Sequence, residues 1–215
     1  MKGLLLYGLK CRPWIWDQMR RDLADCDIEY VEYPEEVTRT CVSVSDLTAW
    51  VKVQYLSGGQ AYDFVLGHSM GGLIALQLSA LDGTRFRKTI FVESFLKPSG
   101  PFYHNLMMDA NMAAMGDRVL AMFREEDAKY TPALKASLKE DFDYTGFLDH
   151  ITGRVFGIYG DRGNRDRSLL LRSLDLDDKQ LGKLDISFIR DACHLPMLEN
   201  PHELAQRILA ILQQS

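Results

Sequence analysis

The chain has 215 residues, 47% hydrophobic and 26% charged, with a formal net charge of −5 at pH 7. That length fits one domain with room for an inserted segment, and the apolar fraction suffices for a sizeable core. The acidic balance removes the electrostatic reason to expect a nucleic-acid partner, and no apolar stretch approaches the roughly 20 residues that span a bilayer.

The first apolar run, residues 3–7, follows one lysine and stops at Gly8. It is too short for a signal peptide and suits a first strand. A helical pattern at 14–24 precedes a run at 28–33, and one at 44–56 precedes a run at 62–66. A helix is expected over 70–81, then a strand at 89–92. Farther on, runs at 155–159 and 186–189 alternate with helical patterns at 167–174 and 201–213, the last with Leu204, Ile208 and Leu212 on one face. This alternation predicts an α/β fold: about six mostly parallel strands, covered by helices on both faces.

Residues 97–151 break the rhythm. After Pro98 and Pro101 the segment reads as helices at 105–115, 118–128 and 132–140 with no strand between them. It is expected to be a small helical cap inserted in a core of residues 1–96 and 152–215, over the sheet edge where open α/β folds bind ligands. Five of the nine methionines lie here: Met107, Met108, Met112, Met115 and Met122. They can pack the cap or line a pocket for varied apolar groups. Cys11, Cys26, Cys41 and Cys193 are scattered without metal-ligand spacing, which suggests free thiols in a reducing cytosol.

Gly67-His68-Ser69-Met70-Gly71 is a G-x-S-x-G sequence between an expected strand and an expected helix. A serine on so sharp a turn needs neighbours without side chains, and the turn would leave its hydroxyl exposed. It would also place the Met70 N–H at a helix N-terminus, facing a developing oxyanion. A base is expected late in the chain. His194, after the run at 186–189 and before the last helix, is the candidate that could exchange a proton with the serine.

"GHSMGG" at 67–72 and "HLPMLENP" at 194–201 resemble the α/β-hydrolase fold family, specifically its single-domain serine hydrolase and esterase branch with a helical cap. The resemblance extends over nearly the whole chain. "LLLYGLKCRPWIWDQM" is similar to the family's first strand and oxyanion loop, with Trp16 in the usual tryptophan place and Tyr7 where a histidine is common. It implies a Ser69–acid–His194 triad, an oxyanion hole of the Leu9 and Met70 N–H groups, and no metal or organic cofactor. His68, Trp16, Phe95 and Met112 are the residues expected to bind substrate.

The family pattern after the strand at 155–159 is G-x-x-D, but here Gly163 stands at the aspartate position. Asp161 lies two residues early, and Asp166 is a weaker option. Glu93, ending the preceding strand, is the second serious candidate, because some superfamily members carry their acid there. The expected activity is hydrolysis of a small, partly apolar ester or thioester through an acyl-enzyme. The alternatives are a catalytically weak or inactive receptor or binding protein, and a C–C bond hydrolase or lyase of the same branch.

Overall fold

The computed structural model describes residues 1–82, 85–139 and 141–214. Six strands form one all-parallel sheet: β1 (Lys2–Leu6), β2 (Asp27–Tyr30), β3 (Tyr62–His68), β4 (Phe86–Val92), β5 (Arg154–Gly160) and β6 (Asp185–Ile189), in the order β2-β1-β3-β4-β5-β6. The central strands are buried almost end to end and the edge strands β2 and β6 only in part. This is why β1, β3 and β5 read as continuous apolar runs: both faces are covered. The strand count and parallel order are those expected from the sequence.

The helices are α1 (Glu35–Thr38), α2 (Val44–Val51), α3 (Met70–Leu81), α4 (Asp109–Asp127), α5 (Pro132–Ala136), α6 (Arg167–Arg172), α7 (Asp178–Leu181), α8 (Pro196–Glu199) and α9 (Pro201–Gln213). Ser43 and Asp46 close a capping box on α2, satisfying donors that a helix start leaves open. Helix α3 is buried on nearly every face, whereas α9 buries Leu204, Ile208, Ile211 and Leu212 and presents its charged residues outward. No helix among the described residues is long and apolar enough to cross a membrane.

The expected helix at 14–24 and the three expected within residues 97–151 all differ. The pattern at 14–24 forms only a 3₁₀ helix, Pro13–Met19, before unwinding through turns to β2. Its two tryptophans are drawn to different places: Trp14 lies under the Arg118 guanidinium, while Trp16 is buried beside His68. The patterns at 105–115 and 118–128 fuse into α4, because Gly116 is buried against Met112 instead of ending a helix. The third, 132–140, is helical only over Pro132–Ala136, and Glu140 lies outside the described residues.

The parallel topology sends every strand's C-terminal end to the same edge. Gly8 follows β1 there, Ser69 follows β3, Glu93 follows β4, Arg162 follows β5, and His194 lies beyond β6. The helical stretch between β4 and β5 meets this edge: the His194 N–H donates to the Leu106 carbonyl.

Candidate active site

The turn after β3 is held by close backbone contact. Ser69 takes φ 52° and ψ −122°, and its N–H donates to the Val92 carbonyl at the end of β4. A Cβ on Gly67 would sit 2.1 Å from the Gly71 oxygen, and one on Gly71 would lie 2.6 Å from the Leu6 oxygen. Both obstacles are backbone and cannot rotate away, so only glycine fits. Gly67→Ala is therefore expected to destabilise the fold by about 3 kcal/mol, lowering Tm by roughly 6–12 °C in a thermal melt.

The strain is not confined to the serine. Lys10, Ser69, Glu93, Arg162 and Asp191 all have positive φ, five of the seven such non-glycine residues among those described, and all five stand at this edge. Strained backbone of this kind costs about 1–3 kcal/mol per residue and collects where function demands it.

The Ser69 hydroxyl lies 3.2 Å from His194 Nε2, and His194 Nδ1 lies 3.4 Å from Glu93 Oε2. The chain thus brings together a hydroxyl, an imidazole and a carboxylate in a line. Glu93 is fully buried while His194 is about a quarter exposed. Burial pushes the Glu93 carboxyl up, but the Arg162 guanidinium outweighs it and, with His194, holds the carboxyl below the ordinary glutamate range. Arg162 donates from both terminal nitrogens to both Glu93 oxygens, at 2.9 and 2.7 Å, and the Gly160 N–H donates to Oε1 at 2.6 Å.

Asp161 is placed otherwise. Its Oδ1 accepts from the N–H groups of Gly163 and Asp191, both at 2.8 Å, so it ties the β5 loop to the loop that carries His194. Gly163, which stands where the resemblance implies an aspartate, has φ 74° and donates its N–H to Asp161. Asp166 caps α6 by accepting from Ser168 and Leu169.

His68 packs 4.9 Å from the His194 ring and donates from Nε2 to the His194 carbonyl at 2.8 Å. Burial, with the neighbouring His194, pushes its pKa down to about 3, so it stays neutral and acts as a brace for the loop. Tyr7 is likewise a brace: its hydroxyl accepts from the Tyr33 N–H, and the Tyr33 hydroxyl donates back to the Tyr7 carbonyl. The following loop is pinned to the end of α4 by ion pairs of Lys10 with Asp127 and of Arg12 with Glu125 and Glu126.

Ser69, His194, Glu93, Leu9, Met70, His68 and Phe95 all line one cavity of about 700 Å³. Met70 opens α3, where a backbone N–H has no carbonyl partner within its own helix. Trp16 and Met112 are not in that lining; Trp16 lies behind His68, and Met112 packs along α4 beside Gly116. Phe123, Leu138 and Phe142 also line it, as do Lys10 and Lys135, each paired with Asp127. Among the described residues no group of three His, Cys, Asp or Glu side chains could hold a metal ion.

Two further residues matter that sequence reasoning passed over, Arg162 and Glu199. The latter accepts from the Cys193 N–H at 2.7 Å through one oxygen and from the Met108 N–H at 2.7 Å through the other, joining the histidine loop to the start of α4. A glutamate inside a short helix gives no sequence signal for such a bridge.

The sequence model of the alpha/beta hydrolase fold family matches residues 23–140, more than half of the chain. The chain belongs to the alpha/beta hydrolase fold family. Solved structures agree on the fold. An esterase from Thermogutta terrifontis superposes with a TM-score of 0.74 at 16% identity, covering 99% of this chain and 89% of its own. A carboxylesterase from Bacillus subtilis gives 0.71 at 14% identity, with 99% and 83% covered. A lipase-esterase related protein from Clostridium acetobutylicum gives 0.67 at 14% identity, with 97% and 93% covered. Comparison with curated proteins returned no match.

Proposed function

We propose that this alpha/beta hydrolase is a serine hydrolase acting on small, partly apolar esters or thioesters through Ser69, His194 and Glu93. The observation that carries the reading is the continuous hydroxyl–imidazole–carboxylate line opening into a cavity of about 700 Å³, a volume typical of small-molecule sites.

In the first step the Ser69 Oγ attacks the acyl carbon while its proton passes to His194 Nε2. His194 Nδ1–H donates to Glu93, which fixes the tautomer that leaves Nε2 free to accept. The 3.2 and 3.4 Å separations tighten once a substrate is bound. The N–H groups of Leu9 and Met70 take the negative charge that develops on the carbonyl oxygen. The leaving alcohol or thiol departs with the proton held by His194. Water then gives a proton to His194 and attacks the acyl-enzyme, releasing the acid and restoring the Ser69 hydroxyl. This chemistry draws on no metal and no organic cofactor.

Residues 97–151 serve as a cap over a core of residues 1–96 and 152–215, since Phe123, Leu138 and Phe142 of that stretch line the cavity. Its apolar lining suits an acyl or alcohol group with hydrocarbon character. All four cysteines are free, which suits a cytoplasmic protein. A binding-only role is less well supported, because a receptor has no need of an ionised carboxylate behind the imidazole. The test is labelling with a fluorophosphonate probe at neutral pH and mapping by mass spectrometry. The expected result is one adduct on Ser69; an unlabelled Ser69 in folded protein would overturn the proposal.

A further inference from the structure

Arg162 enters none of the steps above, yet its guanidinium is buried in the site and bonded to Glu93, Gly160 and Tyr103. It follows β5 in a left-handed conformation, with φ 54°, and its N–H donates to the Ala192 carbonyl. Its side chain is 3% exposed and meets a Glu93 side chain that is 0% exposed. Beyond the two bonds to Glu93, Nη1 donates to the Gly160 carbonyl at 2.8 Å and Nη2 to the Tyr103 carbonyl at 3.4 Å. The guanidinium lies 4.4 Å from the centre of the Tyr103 ring.

We propose that Arg162 is a positioning residue that aims the Glu93 carboxylate at His194 and lowers the proton affinity of the Glu93–His194 pair. The catalytic consequence rests on the serine hydrolase reading; the electrostatic effect does not. A carboxylate at 0% exposure can turn about its last bond and can also take up a proton. The guanidinium fork prevents both, engaging one bond to each oxygen and leaving the free side of Oε2 for His194 Nδ1.

The charge count around the pair gives the electrostatic effect its sign. From β3 His68 faces it, held neutral by burial; from β5 Tyr159 faces it, and from the 3₁₀ turn after β4 Tyr103, both kept protonated by burial. Cys193 adjoins His194 and is pushed up to about 12 by burial and by Glu199, so it too is neutral. Asp161 and Glu199 stand one layer farther out, engaged with backbone N–H groups. Among the described residues Arg162 is therefore the permanent cation bonded to the pair, and its field opposes uptake of a proton there.

The test is NMR titration of the His194 imidazole in the full chain, with the acid limb of kcat/KM on a p-nitrophenyl ester recorded alongside. Rates are expressed per serine titrated by fluorophosphonate, so loss of folded protein does not count. Arg162→Met is expected to raise the His194 midpoint by about one pH unit or more, the usual scale for a charge this close, and to move the acid limb the same way. Arg162→Lys keeps the charge but loses the fork. Its midpoint should stay near wild type while kcat falls about tenfold. Should Arg162→Met not fold, Arg162→Gln removes the charge while retaining a donor, and the same rise is expected. A midpoint within about 0.3 unit of wild type in the neutral variant overturns the proposal, since a merely structural arginine would lower Tm and leave the titration in place. If the midpoint rises while Ser69 takes no fluorophosphonate, the hydrolase reading fails and the positioning effect stands.

Discussion

Ser69→Ala is expected to lower kcat by about 10⁶-fold, the scale seen when a triad nucleophile is removed, with KM nearly unchanged. The fold should tolerate it. The Ser69 N–H bond to Val92 is backbone and survives, and alanine inherits the same strained φ without adding bulk. What disappears is the oxygen 3.2 Å from His194 Nε2, and no other hydroxyl lines the cavity at that point. A residual rate about 10³–10⁴ above water should persist, because the Leu9 and Met70 N–H groups still receive the carbonyl oxygen. His194→Ala should fall by nearly as much, and the double variant hardly further, since the two act as one device. Steady-state rates on a p-nitrophenyl ester check this. A Ser69→Ala enzyme within tenfold of wild type would mean that hydrolysis runs through another group.

The serine and the histidine were legible for a physical reason. A strand-to-helix turn this tight has two positions where a side chain would strike backbone, and the Gly67 and Gly71 spacing records those collisions directly. The six strands were legible because continuous burial on two faces demands unbroken apolar runs. The unwinding after Met19 was not, since Ile15, Trp16 and Met19 are buried at a spacing that an α-helix would also give. Which carboxylate faces His194 was undecidable from sequence, because that depends on where a turn points its side chains. Asp161 and Glu93 both end strands at the same edge, and both are buried. What separates them is that Asp161 is occupied by two N–H groups of its own loops, whereas Glu93 faces His194. Arg162 was illegible for a related reason: an arginine beside Gly163 reads as a solvated turn residue, and its burial follows only from the left-handed backbone at 162. Trp16 and Met112 show the converse case, aromatic and apolar residues near the site in sequence pattern that the fold packs outside the cavity.

Glu93→Gln and Asp161→Asn separate the two carboxylates. Glutamine at 93 has the same shape and can still accept from the Gly160 N–H with its oxygen. Its amide nitrogen then faces both Arg162 Nη2 and His194 Nδ1–H, donor against donor. The imidazole is released from the tautomer that leaves Nε2 free, and kcat is expected to fall at least 100-fold, towards the roughly 10⁴-fold seen when a triad acid becomes an amide. Asparagine at 161 keeps an oxygen for the Gly163 and Asp191 N–H groups, so kcat should stay within about threefold of wild type, an amide oxygen serving those neutral donors nearly as well. Stability supplies an independent check. Glu93→Gln strands the buried Arg162 charge and should cost about 3–5 kcal/mol at neutral pH, so rates must again be taken per titrated serine. Because folding holds the Glu93 carboxyl below its unfolded value, its stabilising effect is complete above about pH 4.3 and is lost as pH falls through the folded pKa. The Tm gap between wild type and Glu93→Gln should therefore narrow on acidification below that point. A 100-fold loss in Asp161→Asn with Glu93→Gln unaffected would move the acid to Asp161, and with it the tautomer control of His194.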